Sequence, residues 1–351
     1  MPTATTTQES AGEAPPPPPL PNPSTGSANP AASLPALWGY LQPALDHMVR
    51  SPTNSPSKAP AIEVSYHMGV HTAVYNYFTA QSEQTTPPTG PGFRNGLSPP
   101  VQDKGKASGT DLYDQLDRYY ADVAREIFLG APADDSSLVH YLVPCFNRYS
   151  AGAQAVSRLL NYVNRHYVKR AVDEDRGWLR LADIFDAVMR TIRENDDRER
   201  IHRRLRERRT EELKKFGYVE GASAAEQAQV EEYAEAASTP DRVVHLTAVA
   251  YRRFRIEVLE PLLNVPKMKG TGKKKKPPQN GERPPMPKGR LARSVKELLE
   301  SEGEDEEEKR RLAGGLAFTL RACGTKVDHP LRKKLDKYMT PAEETESANA
   351  T

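Results

Sequence analysis

Apolar residues recur every three or four positions along most of the chain, which is the spacing of one face of an α-helix. The first such stripe consists of Leu34, Leu37, Trp38, Leu41, Leu45 and Met48. Pro43 falls inside this stripe, and because a proline costs about 3 kcal/mol in a helix interior, we expect a break or a late start there. The sequence shows no sustained strand-like alternation, so the pattern predicts an all-α fold in which helices stack as a bundle.

The second predicted helix, Ile62 to Thr79, carries two stripes rather than one. The first suits a core and consists of Tyr66, Val70, Val74 and Tyr77. The second lies on an adjoining face and consists of His67, His71 and Tyr75, with Met68 and Thr72 beside them. Periodicity leaves two interpretations open: the second stripe is a further buried face, or it is an exposed patch of aromatic and polarizable side chains that binds a partner.

Helical patterns continue through the middle of the chain. The fourth predicted helix contains Pro144, which predicts a kink. We expect Gly152 to separate this helix from a fifth one that runs from Leu159 and stops at Gly177. Further on, Ala222 to Ser238 predicts a short exposed helix, and Val243 to Val265 resumes a strong apolar pattern.

Composition separates these helical parts from segments that cannot bury a core. Residues 1–33 are rich in Pro, Ala, Thr and Ser and predict a disordered leader, which is either simply solvated or a polyproline ligand. A basic, proline-rich linker covers residues 266–290 and contains Lys273–Lys276, which is either a solvated loop or a nuclear-import signal. The helical pattern returns over residues 291–340, and the tail at 341–351 is predicted to be disordered.

The balance of charge bears on nucleic-acid binding. Basic and acidic residues nearly cancel, at 49 and 47, which argues against a protein whose whole surface is a nucleic-acid footprint. A local basic helix, Arg198 to Arg209, and Lys273–Lys276 support an alternative function as a basic helical nucleic-acid-binding protein. Acidic residues interleave with the arginines, which favours a solvated face with internal ion pairs instead.

Motifs for catalysis or metal binding do not occur in the sequence. It contains no glycine-rich phosphate loop, no GxSxG elbow and no cysteine cluster, so we expect neither an enzyme nor a cofactor. His67 and His71 have the spacing of two zinc ligands, but Met68 stands where a metalloprotease helix has its glutamate, so we expect no metal. Two distant cysteines suggest reduced thiols in the cytoplasm or nucleus. No apolar run reaches the roughly 18 residues of a membrane span.

Two of the helices resemble helices of the cullin family and occur in the family's order. Asn161 to Gly177 (NYVNRHYVKRAVDEDRG) resembles the pattern YLNRHWVRRxxDEG, and Val74 to Ala80 (VYNYFTA) resembles THVYNYCT. A third segment is similar to WRxxLFRPLN, with the corresponding places held by Phe254, Leu259, Pro261 and Leu262. The resemblance implies a bundle of cullin-repeat type, with a first repeat over 34–265, a charged helical insertion at about 193–242, and a second repeat that starts in 291–340.

For function, the resemblance implies a non-catalytic scaffold of a cullin-RING ubiquitin ligase, in the branch whose second and fifth helices grip a Skp-type adaptor that recruits F-box substrate receptors. When the contact positions of that branch are transferred to this sequence, the resemblance implies the following adaptor-binding residues: His67, Met68, His71, Tyr75, Tyr162, Asn164, Arg165 and Tyr167. That branch tends to carry tyrosines where His67 and His71 stand, so binding is expected to be weaker or to depend on pH. The sequence shows no motif of the C-terminal cullin domain, so the RING subunit is not expected to bind this chain.

Overall fold

The computed structural model describes residues 29–51, 58–85, 108–193, 196–265, 289–301 and 305–340. Over these ranges the fold is all-α, with twelve helices and no β-strand, which confirms the predicted helical-repeat bundle class. The helices are α1 (Leu34–Val49), α2 (Val64–Thr85), α3 (Thr110–Leu129), α4 (Leu138–Leu159), α5 (161–173), α6 (Leu181–Met189), α7 (Arg198–Lys214), α8 (Ala224–Ala237), α9 (246–263), α10 (Arg290–Glu300), α11 (Glu306–Ala322) and α12 (Pro330–Met339). α5 and α9 each contain one π-helical turn, Asn164–Val168 and Arg255–Leu259.

Several predictions about disorder and signals fall on other parts of the chain. The proline-rich leader up to residue 28, the linker at 266–288 with Lys273–Lys276, and the tail from residue 341 lie outside the described residues.

The described residues divide into two compact units. Unit 1 takes those within Met1–Tyr119, Cys145–Arg180 and Asp241–Ala250, and unit 2 takes those within Tyr120–Pro144, Leu181–Pro240 and Tyr251–Thr351. The predicted repeat over residues 34–265, with a charged insertion at about 193–242, stays a prediction. The charged segment does bury apolar side chains of its own, such as Leu213 and Tyr233, inside unit 2.

In unit 1, α1 is continuous through Pro43, so the predicted break is wrong. The helix begins after Ser33, whose Oγ accepts a hydrogen bond from the Ala36 N–H (3.4 Å). Leu37, Leu41 and Leu45, one turn apart on either side of Pro43, are fully buried. Packing of this stripe outweighs the intrinsic cost of one proline, as is usual for amphipathic helices in a folded core.

Gly152 does not separate two helices; it lies inside α4, which runs on to Leu159 and also continues through Pro144. A Cβ atom on Gly152 would lie 2.7 Å from the carbonyl oxygen of Met48 and 2.9 Å from the Cα of Val49. The glycine therefore allows the backbones of α4 and α1 to approach closely. Gly152 therefore serves close packing between helices. The prediction treats this glycine as a helix breaker and misses that role.

The predicted helix from Leu159 to Gly177 is shorter at both ends. The chain turns at Leu160, α5 begins at Asn161, and it closes at Asp175 rather than at Gly177. Asp175 has a φ of 60°, and its N–H donates to the Val172 carbonyl (3.0 Å) while the Arg176 N–H donates to the Ala171 carbonyl (2.9 Å). This pair of bonds is a Schellman motif, with an aspartate in the left-handed position that glycine more often fills.

In unit 2, α8 is the helix that the sequence predicts to be short and exposed, but in the structure it is capped and partly buried. It begins with a capping box, in which Ser223 N–H donates to Glu226 Oε2 (2.8 Å) and Glu226 N–H donates to Ser223 Oγ (3.3 Å). Its second half is buried at Tyr233, Ala234 and Ala236. The helix is therefore part of the core of unit 2.

Two arginines of α9 hold the opposite end of α8. Arg252 Nη1 donates to the Thr239 carbonyl (3.0 Å), and Arg255 donates to the carbonyls of Ala236 (Nε, 3.2 Å) and Ser238 (Nη2, 3.0 Å). Carbonyls at a helix C-terminus have no donor within the helix, and guanidinium groups supply one here. We refer to Arg252 and Arg255 as the carbonyl clamp.

Candidate protein-binding surface

α2 presents two faces of opposite character. Tyr66, Val70, Val74 and Tyr77 are buried, as the sequence predicts for the core stripe. On the other face, the side chains of Met68 and Tyr75 are 58% and 48% exposed. Of the two interpretations left open by periodicity, the structure therefore supports the exposed patch.

α5 lies against α2, and the ring of Tyr162 stands at the centre of their contact. Its centroid is 5.7 Å from that of Tyr75 and 5.9 Å from that of His71, both edge-on, and 4.0 Å from the stacked ring of His166. Such arrangements are favourable for aromatic pairs beyond the area they bury. We call Met68, His71, Tyr75, Tyr162 and His166 the aromatic surface.

The aromatic surface is supported from beneath by Phe78. The Phe78 ring is buried and meets the Tyr162 ring edge-on at 5.3 Å. A Cβ atom on Gly109 would lie 2.3 Å from the tip of Phe78, so only a glycine, here with a φ of 90°, leaves room for that ring. Burial and the nearby Tyr75 raise the pKa of Tyr162, so its hydroxyl is neutral at physiological pH and can donate a hydrogen bond.

A polar network fixes the turn before α3 against both helices. Gln81 Nε2 donates to Asp111 Oδ2 (2.9 Å), and the Gly109 N–H donates to Gln81 Oε1 (2.8 Å). From α5, Arg170 Nη2 donates to the Ser108 carbonyl (2.9 Å), and Ser108 Oγ donates to the Phe78 carbonyl (3.1 Å). The network holds the register of α2 and α5 and thus the spacing of the rings above it.

Two of the eight predicted adaptor-binding residues are buried, and their assignment as contact residues is corrected. Tyr167 is 1% exposed and its ring lies 5.1 Å from that of Tyr113. Asn164 Nδ2 donates to Ser157 Oγ (3.0 Å), and its Oδ1 accepts from the Leu246 N–H (3.1 Å). Both side chains belong to the core of unit 1, because they fall on the inner face of α5.

The other six predicted residues are exposed or half-buried. Met68, His71, Tyr75 and Tyr162 belong to the aromatic surface, Arg165 is exposed on α5, and His67 is half-buried and lines a separate cleft. His166 is not among the predicted site residues, although it is four residues after Tyr162. That spacing, which places two side chains on the same helix face, is the signal that could have identified it.

Met68 also borders a groove of about 300 Å³ between α1, α2 and the segment before α1. Tyr40 and Ala73 line it, and both are buried. The remaining lining residues are Asn29, Pro30, Ala31, Gly69, Thr72 and Asn76. Met68 thus belongs both to the aromatic surface and to the lining of this groove.

The other predicted sites have the following outcomes. In the described ranges, no group of three or more His, Cys, Asp or Glu side chains is placed to hold a metal ion. No helix among the described residues has the length and apolar character that crossing a membrane requires. Both cysteine thiols, Cys145 and Cys323, are free and buried.

The basic helix α7 is largely engaged in ion pairs within unit 2. Asp196 accepts from Arg200 (3.1 Å) and Arg204 (2.7 Å), and Arg208 pairs with Glu212 (2.7 Å). Arg209 reaches Glu231 of α8. These carboxylates neutralise much of the positive charge that a nucleic-acid phosphate would need to contact.

Comparison with known proteins gives a limited similarity to a cullin. Over 140 residues, which are 39% of this chain, it is 25% identical to Cullin-1 of Caenorhabditis elegans. The matched part covers 17% of the length of that protein. No known family profile matches the chain, and no solved structure matches it. Together with the all-α fold, the similarity supports cullin-like helical repeats in this chain.

Proposed function

We propose that this chain is the scaffold part of a ubiquitin ligase that captures a Skp-type adaptor, and through it F-box substrate receptors, on the aromatic surface. The proposal extends the resemblance of α2 and α5 to cullin helices and the similarity to Cullin-1 of Caenorhabditis elegans. Its role is non-catalytic and serves ubiquitin-dependent protein breakdown in the cytoplasm or nucleus.

The observation that carries the proposal is the contact between Tyr75 and Tyr162 across α2 and α5, with the Met68 and Tyr75 side chains about half exposed beside it. Aromatic residues and methionine are enriched at the centres of protein interfaces, where a few anchors supply most of the binding free energy. A free surface of this kind leaves apolar area for a partner to cover.

The rings are also preorganised. Tyr162 is held by Phe78 below and by His166 beside it, at centroid distances of 5.3 Å and 4.0 Å. A surface whose side chains are already ordered loses less conformational entropy on binding. Arg165, an exposed residue that adjoins His166 in α5, would meet acidic groups at the rim of a partner.

The side chains of the aromatic surface are suited to binding a partner protein rather than to catalysis. His71 and His166 both lie against the Tyr162 ring, where they are engaged in packing. Aromatic and thioether groups supply area and shape, which is what a scaffold requires. The similarity to a cullin points the same way.

The test is the double variant Met68→Ala/Tyr75→Ala, with binding to a purified Skp-type adaptor measured by calorimetry. Truncation of one anchor typically costs about 2 kcal/mol or more, so affinity should fall by at least about thirtyfold. Both side chains are about half exposed, so helicity should be retained and stability should fall only by the lost Tyr75–Tyr162 ring contact, about 0.5–1.5 kcal/mol.

A matched control is Phe185→Ala/Met189→Ala in α6 of unit 2. These side chains are 42% and 48% exposed, so the control removes a comparable aromatic ring and thioether from another surface. It should bind the adaptor like the unmodified chain. Equal binding by the Met68→Ala/Tyr75→Ala variant, or no binding by the unmodified chain, would overturn the proposal.

A further inference from the structure

A second concave site lies in unit 1, between the end of α1, the residues before α2 and the last turns of α4. Its volume is about 350 Å³, within the range of small-ligand sites. Three basic side chains line it, Lys58, His67 and Arg158. Apolar residues, among them Met48, Ile62 and Leu159, also line it.

The positive charge of this cleft is not balanced by the residues that form it. No carboxylate is among its lining residues. Glu63, which adjoins the cleft in sequence, does not line it and accepts a hydrogen bond from Ser65 Oγ (3.3 Å). Within the described part of the chain, neither Lys58 nor Arg158 forms an ion pair, in contrast to the arginines of α7. Unpaired cations in a concavity concentrate positive potential there.

We propose that this cleft binds a phosphoryl group, held by Lys58 and Arg158 with His67 as a third donor. A phosphoryl group at pH 7 carries a charge of about −1.5 to −2, which two cations match. Arginine offers two parallel donors to a phosphate, and lysine binds it as a point charge. The apolar lining suits an aliphatic group next to the phosphoryl, as in a phosphorylated peptide.

The proposal is independent of adaptor binding. Only His67 is shared with the predicted adaptor-binding residues, and the phosphoryl site does not require Met68 or Tyr75. The variant used to test it, Lys58→Gln/Arg158→Gln, leaves the aromatic surface intact. Adaptor affinity should therefore persist in this variant, which separates failure of one proposal from failure of the other.

The cleft contains its own reporter, the methyl group of Met48. Inorganic phosphate is titrated into the chain labelled with ¹³C-methyl methionine, and the methyl resonances are followed by NMR. Sodium chloride at equal ionic strength is the reference. We expect a saturable shift of the Met48 resonance with phosphate and none with chloride, while Met189 and Met339 of unit 2 stay unchanged. In Lys58→Gln/Arg158→Gln, phosphate affinity should fall by about tenfold or more, because two charge-assisted contacts are lost.

A matched control removes two charges elsewhere. Lys333 and Lys334 of α12 are exposed, and Lys333→Gln/Lys334→Gln should leave the titration unchanged. An absent or non-saturating shift of Met48 overturns the proposal. So does a saturable shift that survives in Lys58→Gln/Arg158→Gln, or one that weakens equally in the control.

A second arm separates the two sources of the phosphoryl group. Fluorescence anisotropy compares a labelled peptide containing leucine next to phosphoserine with the same peptide containing serine. Tighter binding of the phosphorylated peptide than of inorganic phosphate assigns the site to a phosphorylated partner, and equal affinity assigns it to free phosphate. Equal binding of the phosphorylated and unphosphorylated peptides overturns the proposal.

Discussion

Replacement of Gly152 by alanine tests the close approach of α4 to α1. The added Cβ would lie 2.7 Å from the Met48 carbonyl oxygen and 2.9 Å from the Val49 Cα, and backbone atoms cannot yield as a flexible side chain does. Overpacking of this kind costs about 1–3 kcal/mol, and the better helix propensity of alanine offsets about 1 kcal/mol of it. The free energy of unfolding of unit 1 should therefore fall by up to about 2 kcal/mol, and by about 1–3 kcal/mol relative to a glycine-to-alanine change that meets no neighbouring atoms.

The matched control is Gly39→Ala in α1, where a Cβ would meet nothing within 4 Å. Here only the propensity term acts, so unit 1 should gain about 1 kcal/mol. Urea unfolding followed by tryptophan fluorescence reports on this unit, because Trp38 and Trp178 are the only tryptophans and both belong to it. A Gly152→Ala variant that gains as much stability as Gly39→Ala would refute the close packing of α4 on α1.

Two further predictions concern single side chains. Tyr113→Phe should destabilise unit 1 by about 1–3 kcal/mol. The reason is that the buried Tyr113 hydroxyl donates to the Val244 carbonyl (3.0 Å) and accepts from the Val244 N–H (2.9 Å). The same urea titration measures this loss, and an unchanged unfolding midpoint would contradict the prediction. His329 caps α12 by accepting from the Leu331 N–H through Nδ1 (3.3 Å), which only the neutral ring can do. Burial lowers the pKa of His329 below its ordinary value of 6.5, so this contribution to stability is complete above that value and is lost as pH falls through the lower pKa of the folded state. The amide-exchange protection of α12 in the unmodified chain should therefore weaken in acid by about 1 kcal/mol. It should not weaken in His329→Asn, because asparagine is an uncharged cap. Equal acid sensitivity of the two proteins would show that His329 is not responsible.

Hydrophobic periodicity is sufficient to predict the helices and the two faces of α2. Tyr66, Val70 and Val74 are buried as their spacing requires, and Tyr75 is exposed. Periodicity works here because each helix is amphipathic and its apolar stripe must be covered. It cannot decide whether the second stripe is also covered, since that depends on the position of α5.

Residues with two physical roles are the least predictable. Glycine is a poor helix former, which makes Gly152 look like a breaker, yet a glycine also permits close contact between helices, and only the position of α1 distinguishes the two roles. Tyr167 and Asn164 lie in a cullin-like motif, which places them in the predicted site. That motif fixes the helix but not which of its side chains face Tyr113 and Leu246, which come from distant parts of the sequence.

The carbonyl clamp has a consequence for any attempt to trim the chain. Deletion of residues 193–242 looks reasonable from sequence, since that stretch is charged and resembles an insertion. The deletion would take away the three carbonyls that Arg252 and Arg255 bind, while Arg255 would keep its ion pair with Glu260. Because a hydrogen bond to a charged group contributes about 1.5–3 kcal/mol, the shortened chain would lose stability that the charged, insertion-like sequence does not reveal.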